Sequence, residues 1–229
     1  MSANESAPNS ISSNPRLEDK VSIVTGAGSG SGAGILSKFL SEGCRGLIWD
    51  HNPNPVPLSS LLAGQVQIFT ADVSDPSSWP LALPTCLPTF DKFDILTNNA
   101  GVVHVANPNE DVPEEEVDRV LRVNVKPLYF SAGTVVPYWS RKGEGGVVLN
   151  LSSTSAPRPR LRLATRGLAP EVAPVLGDVD TPEGRAIALV EIPIGRICTP
   201  KILGDAACFL ASDEAALLTV NFDGGRSLM

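Results

Sequence analysis

Val21-Ser22-Ile23-Val24 is a short apolar run that leads directly into Thr25-Gly26-Ala27-Gly28-Ser29-Gly30-Ser31-Gly32, after which apolar residues recur at helical spacing: Ile35, Leu36, Phe39 and Leu40. A glycine-rich turn between a strand and a helix suits one kind of chemistry. With few side chains in the way, the backbone can approach a pyrophosphate, and the helix N-terminus offers unpaired N–H groups and the positive end of its dipole. Gly26, Ser29, Gly30, Ser31 and Gly32 are the candidate phosphate-binding residues of that turn. Taken alone, the same sequence is equally compatible with a tight connection and nothing more. Asp50 lies about 20 residues further on, at the end of a second apolar run. Its carboxylate could accept hydrogen bonds from adenosine ribose hydroxyls and repel a 2′-phosphate, which favours NAD over NADP. The competing role for Asp50 is that of a turn residue before Asn52-Pro53.

Stepping along the chain, the strands that would position these groups end in small or polar residues. The second strand, Gly46 to Trp49, ends at Asp50; the third, Val66 to Thr70, at Ala71-Asp72-Val73; the fourth, Phe93 to Leu96, at Asn98-Asn99-Ala100-Gly101; the fifth, Val147 to Leu151, at Ser152-Ser153. Apolar strands alternating with helical segments predict an α/β fold, a doubly wound and mainly parallel sheet with its ligand crevice beyond the carboxyl ends of the strands. One helix carries Val117, Val120, Leu121 and Asn124 at i, i+3, i+4 and i+7, placing an amide on an apolar stripe where it needs partners. Pro127 cannot donate to the carbonyl of Val123, which predicts a kink there. Gly43 reads as a helix stop, and Thr199-Pro200 as the start of a helix with Ile202, Ala206, Phe209 and Leu210 on its apolar face. A last strand is expected around Leu217 to Phe222.

Composition narrows the field. Residues 1–17, rich in Ser, Asn and Pro, read as a disordered tail, and residues 18–229 as a single domain. A formal charge of −7 offers no broad basic field, so nucleic acid and anionic membrane surfaces are excluded as partners. The 4 cysteines are scattered, without metal-ligand spacing or the density of a disulfide framework, and no apolar run is long enough to span a bilayer. No metal is expected, and a cytoplasmic setting is.

Thr25-Gly26-x-x-x-Gly30-x-Gly32, Asp72-Val73, Asn98-Asn99-Ala100-Gly101, Asn124 and Asn150-Leu151-Ser152-Ser153 occur in the order and approximate spacing of a short-chain dehydrogenase/reductase, which the chain resembles. Ile194-Gly195-Arg196, Thr199-Pro200, Phe209-Leu210-Ala211-Ser212 and Asp223-Gly224-Gly225 are similar to that family's carboxyl end. The resemblance implies a Rossmann-type fold, with Asp72 and Val73 against an adenine, Asn99, Ala100 and Gly101 against the adenosine ribose, and Ser29 and Ser31 lining the phosphate turn. Position 31 is usually a bulky aliphatic in the family. By the same resemblance Ser153 would orient a substrate carbonyl or alcohol, and Asn124 would support a water relay.

The family's proton-transfer pair, Tyr-x-x-x-Lys, is missing. Its tyrosine should fall at position 166, which is arginine, and Ala164-Thr165-Arg166-Gly167 is similar to the part of the helix that normally follows the pair. A deletion between about Arg160 and Ala164 is implied by that similarity, with a second shortening before Pro174. The 2 tyrosines are Tyr129 and Tyr138, and Lys201 alone among lysines follows Ser153. Tyr138-Trp139-Ser140-Arg141-Lys142 has the right spacing but precedes the fifth strand, so Tyr138 is expected at a surface helix end on the opposite edge of the sheet. His104 is the nearest alternative acid, and Arg158, Arg160, Arg162 and Arg166 could gather an anionic group, although a loop histidine and a solvated basic loop account for the same residues.

Three outcomes are compatible with these residues: an NAD(P)-dependent oxidoreductase acting on a small alcohol or ketone with impaired or reassigned acid–base catalysis; a catalytically inactive dinucleotide-binding relative acting as sensor, scaffold or partner subunit; or a truncated gene product. Because the family's main subunit interface uses the helices around the missing segment, an oligomer is doubtful.

Overall fold

The computed structural model describes residues 14–52, 64–103, 112–152 and 198–215. Strands β1 (Val21–Thr25), β2 (Arg45–Asp50), β3 (Val66–Thr70), β4 (Ile95–Asn98) and β5 (Val147–Asn150) form a 5-stranded sheet in the order β3-β2-β1-β4-β5. All four pairings are parallel, with Thr25 level with Trp49, Asp50 with Thr70 and Asn98 with Asn150. This order reverses direction between β1 and β4, where a ligand crevice opens beyond the carboxyl ends of the strands. Apolar side chains of alternate strand residues feed two cores, as a sheet covered on both faces requires.

One core packs Val21, Ile23, Leu47, Trp49 and Leu96 against α2 (Trp79–Phe90) and α4 (Lys126–Lys142). The other packs Val24, Ile48 and Ile95 against α1 (Gly30–Ser41) and α5 (Pro200–Ala211). α1 and α5 approach closely because both contact points are glycines: a Cβ on Gly34 would meet the Pro200 carbonyl oxygen at 2.5 Å, and one on Gly204 the Gly34 oxygen at 2.6 Å. Thr199 caps α5 as the sequence predicts, its hydroxyl accepting the Ile202 N–H at 3.3 Å, with Pro200 at the first helical position.

Four details differ from the sequence expectation. Leu17, expected in the tail, is fully buried in the α1–α5 core, and its N–H donates to the Glu42 carbonyl at 2.9 Å, so the folded domain includes residues before 18. The predicted kinked helix is instead two helices, α3 (Glu114–Asn124) and α4, broken at Val125; Pro127 lies in the first turn of α4, where no intrahelical donor is required of it. The fourth strand starts at Ile95 rather than Phe93, whose carbonyl accepts the Trp139 indole N–H at 2.8 Å instead of a ladder bond and whose ring stacks on Trp139 at 5.3 Å. Tyr138 is buried rather than at the surface, 6.2 Å from Phe93. It does lie toward the amino ends of the strands, away from the crevice, so its spacing to Lys142 carries no catalytic meaning. The strand expected around Leu217 to Phe222 lies outside the described residues.

α2 has no counterpart in the sequence reading, because Pro80, Pro84 and Pro88 argue against a helix. All three prolines face outward at intervals of one turn, so the carbonyls they leave without donors face water. The opposite face buries Trp79, Ala82, Leu83, Cys86 and Phe90, and that burial outweighs the local penalty.

Candidate active site

The crevice between β1, β2 and β4 is a cleft of about 780 Å³ whose floor is the glycine turn. Gly26, Ser29, Gly30 and Ser31 line it. Gly30 is in the left-handed region at φ +52 and has open space where a side chain would stand, which keeps the mouth of the turn clear. α1 begins at Gly30, no acidic residue occupies its first turn, and Ser29, Gly30 and Ser31 at its N-terminal end line the cleft. Gly32 is placed differently from the other turn residues. It is buried and does not line the cleft; a Cβ there would collide with the Gly26 carbonyl oxygen and the Asn99 side-chain nitrogen. Its contribution is to let α1 approach the turn.

Asp50 turns inward from the end of β2. It is 7% exposed, and its two oxygens accept separate backbone donors: Oδ2 from the Gly28 N–H at 2.8 Å and Oδ1 from the Asn52 N–H at 2.9 Å. Gly28 must be small for this, since a Cβ would stand 2.7 Å from Asp50 Oδ2. The carboxylate therefore ties the glycine turn to β2 and lines the cleft. Spacing of glycines alone gave no reason to single out Gly28; only the position of Asp50 reveals its role.

The other wall comes from the ends of β3 and β4. Asp72 and Val73 both line the cleft. Asp72 Oδ1 accepts the Ser74 N–H at 2.8 Å, and Val73 is held by its carbonyl, which accepts the Trp79 indole N–H at 2.9 Å. Asn99, Ala100 and Gly101 also line it, with Asn99 doing internal work as well. The Asn99 side-chain nitrogen donates to the Thr25 carbonyl at 2.9 Å, while Thr25 Oγ1 accepts the N–H groups of Asn99 at 3.0 Å and Ala100 at 3.1 Å and donates to the Thr97 carbonyl at 3.3 Å. Thr25 thus stitches β1 to β4, a role its place in the motif did not disclose.

Asn124 ends α3 beside this wall rather than in the cleft. Its Oδ1 accepts the Val102 N–H at 2.8 Å and its Nδ2 donates to the Val102 carbonyl at 2.8 Å. The partners expected of an amide on that stripe are therefore both supplied by one residue, Val102, and the half-buried carboxamide fixes the 101–102 loop that lines the cleft. β5 ends at Asn150, whose Oδ1 accepts the Asn98 side-chain N–H at 2.9 Å, and Leu151 N–H then donates to the Asn98 carbonyl at 3.0 Å. The chain leaves the sheet there, on the cleft side. Ser153, His104 and Arg158 to Arg166 lie outside the described residues. Among the described residues no cluster of three or more His, Cys, Asp or Glu side chains could hold a metal, and no helix is long and apolar enough to cross a membrane.

A parallel sheet in the order 3-2-1-4-5, with a glycine turn after the strand at its switch point and an acidic residue at the end of the next strand, defines a Rossmann-type fold. Residues 20–165 match the family model described as short chain dehydrogenase, and the chain belongs to the short-chain dehydrogenase/reductase family. It is 32% identical to 4-formylbenzenesulfonate dehydrogenase of Comamonas testosteroni over 251 residues, covering 93% of this chain and 99% of that protein. A 3-oxoacyl-[acyl-carrier-protein] reductase of Thermotoga maritima is 30% identical, covering 92% of this chain and 98% of its own. Among solved structures, a 3-ketoacyl-(acyl-carrier-protein) reductase from Brucella melitensis complexed with NADH superimposes with a TM-score of 0.76 at 32% identity, covering 92% of this chain and 99% of that one. The 251 aligned positions of the Comamonas match exceed the 229 residues of the whole chain, so that relative carries residues within the match that this chain lacks.

Proposed function

We propose that this protein binds NAD(H) in the cleft and acts as an oxidoreductase that moves a hydride between the nicotinamide and a small alcohol or ketone, with its proton transfer impaired or reassigned. The observation that carries the reading is Asp50, turned into the cleft and bonded to the Gly28 N–H at 2.8 Å. A carboxylate there can accept ribose hydroxyls and disfavours a 2′-phosphate, which supports NAD over NADP. The cradle fits a dinucleotide on its own terms: Gly26, Ser29, Gly30 and Ser31 leave the N-terminus of α1 open to a pyrophosphate, while Asp72, Val73 and Asn99 to Gly101 offer walls for adenine and ribose. When bound, the nicotinamide supplies the hydride acceptor or donor; the protein supplies position. In this reading Ser153 holds the substrate oxygen, and Asn124 acts as a positioning residue through the Val102 loop.

A second reading, a dinucleotide-binding relative that does not turn over, is favoured by the missing Tyr-x-x-x-Lys pair. Losing a positioned general acid–base costs on the order of 10² to 10⁴ in rate. In the oxidoreductase reading His104, just after the Asn98-Asn99-Ala100-Gly101 strand end, is the candidate substitute acid, and the cytosol is the setting both readings assume. Purified protein offered NAD⁺ with a panel of small alcohols, and NADH with the corresponding ketones, should show slow cofactor-dependent turnover that is lost in Ser153→Ala. Saturable NAD binding without turnover on any substrate would overturn the oxidoreductase reading in favour of the second.

A further inference from the structure

Two tryptophans hold the end of β3, and the dinucleotide reading leaves them unused. β3 stops at Thr70, and the residues that follow it, Ala71 to Val73, line the cleft. The Ala71 carbonyl accepts the Trp49 indole N–H at 3.0 Å, and the Val73 carbonyl accepts that of Trp79 at 2.9 Å. The two indoles lie against each other with 4.6 Å between centroids, and Trp49 also meets Phe69 edge-on at 4.9 Å. Both indoles are buried, so neither donor can exchange its carbonyl for water without loss. Trp49 comes from β2 and Trp79 is the first residue of α2, so the carbonyls on both sides of Asp72 are held from two different elements. Asp72 is fixed by bonds of its own: Oδ1 accepts the Ser74 N–H at 2.8 Å, and its carbonyl accepts the Asp75 N–H at 3.2 Å.

We propose that Trp49 and Trp79 are positioning residues of this site: their indole N–H groups lock the Ala71–Val73 segment, and that lock lets the cleft select adenine over a purine with an oxo group at the same carbon. The inference rests on the proposed placement of adenine against Asp72 and Val73. The N6 amino group of adenine is a donor, and an ionised carboxylate only accepts. An acceptor distinguishes an amino from an oxo group only while it is held in place at the edge of the base. Loss of one indole hydrogen bond is expected to narrow that selection about two- to tenfold.

The test is calorimetric titration of the full chain with NAD and separately with nicotinamide hypoxanthine dinucleotide, which carries the oxo group. Trp49→Phe and Trp79→Phe keep an aromatic ring and lose the donor. Trp139→Phe is the control, because its buried indole N–H also bonds a carbonyl, that of Phe93 at 2.8 Å, but at the amino end of β4 and outside the cleft lining. The expected result is a preference for NAD that narrows in each wall variant and is unchanged in the control, whatever each substitution does to Tm. A preference unchanged in either wall variant, or narrowed equally in the control, would make these indoles core packing alone and overturn the inference. Should a wall variant not fold, the unsubstituted chain with isotope-labelled tryptophan nitrogens decides. Of its 3 indole N–H resonances, saturating NAD should shift two, and the hypoxanthine dinucleotide should shift them less. Identical spectra with the two nucleotides would overturn the inference. Absence of NAD binding would overturn it together with the dinucleotide reading.

Discussion

Replacing Asp50 by asparagine changes one atom in the group on which the account depends most. The carboxylate serves two donors with two oxygens, Gly28 N–H at 2.8 Å and Asn52 N–H at 2.9 Å. An amide has one acceptor oxygen. Gly28 is buried and Asn52 is exposed, so the amide oxygen should stay with Gly28 while Asn52 turns to water. The fold then loses one charge-assisted bond that solvent largely replaces, worth about 1 kcal/mol, which lowers Tm by about 2–4 °C in a chain of this size. The effect on ligand should be larger. A ribose hydroxyl bonded to a charged acceptor is worth about 1.5–3 kcal/mol, so NAD affinity should fall about 10- to 100-fold, and the preference for NAD over NADP should narrow because the repulsive charge is gone. Calorimetry with both nucleotides, alongside a thermal melt, reads all three quantities. A normal melt with NAD affinity unchanged would refute the reasoning, because it would place the ribose somewhere other than Asp50.

Other expectations follow from particular contacts. Gly146→Ala should destabilise by about 1–3 kcal/mol without altering nucleotide affinity, since its Cβ would enter the Trp139 ring far from the cleft; a denaturant titration with an unshifted midpoint would contradict this. For Glu42, burial pushes the carboxyl up, but the Lys38 ammonium and the Arg16 N–H outweigh it and hold the value below the ordinary one. A folded-state value below the unfolded one means stability is present above about pH 4.3 and lost as pH falls through the folded value. The acid limb of the stability curve should therefore flatten in Glu42→Gln, and identical acid limbs would count against the ion pair. Burial pushes the Cys44 and Cys86 thiols up to about 12 and Cys208 up to about 11, while Cys198 is exposed. Native protein should accordingly release one equivalent of chromophore rapidly from a disulfide-exchange reagent, and fast reaction of a second thiol would show that a buried one is accessible.

Much of the scaffold was legible because its strands are apolar runs ending in small or polar residues, which put the crevice beyond their carboxyl ends; the strand order itself came from the structure. α2 was not legible, since Pro80, Pro84 and Pro88 suppress the local helix signal and only the buried face opposite them restores it. The break at Val125 was misread as a kink for a related reason: Pro127 marks a disruption, but whether the helix bends or restarts depends on tertiary packing. Leu17 looked like tail because its neighbours are polar, although one buried leucine and its bond to the Glu42 carbonyl suffice to dock the segment. At the site, the residue types were readable and their bonds were not. Thr25 to Asn99, Asp50 to Gly28 and Asn124 to Val102 join distant positions through single side chains, and such links leave no periodic trace in sequence.

The central claim is that an open helix N-terminus at the glycine turn and the inward carboxylate of Asp50 together hold an adenine dinucleotide. Titrating NAD⁺ into the purified full chain at neutral pH tests it most directly. One saturable site per chain, weakened by an alanine at Gly28 that displaces the Asp50 carboxylate, is the predicted result. No saturable heat at millimolar nucleotide from a folded, monodisperse sample would contradict it.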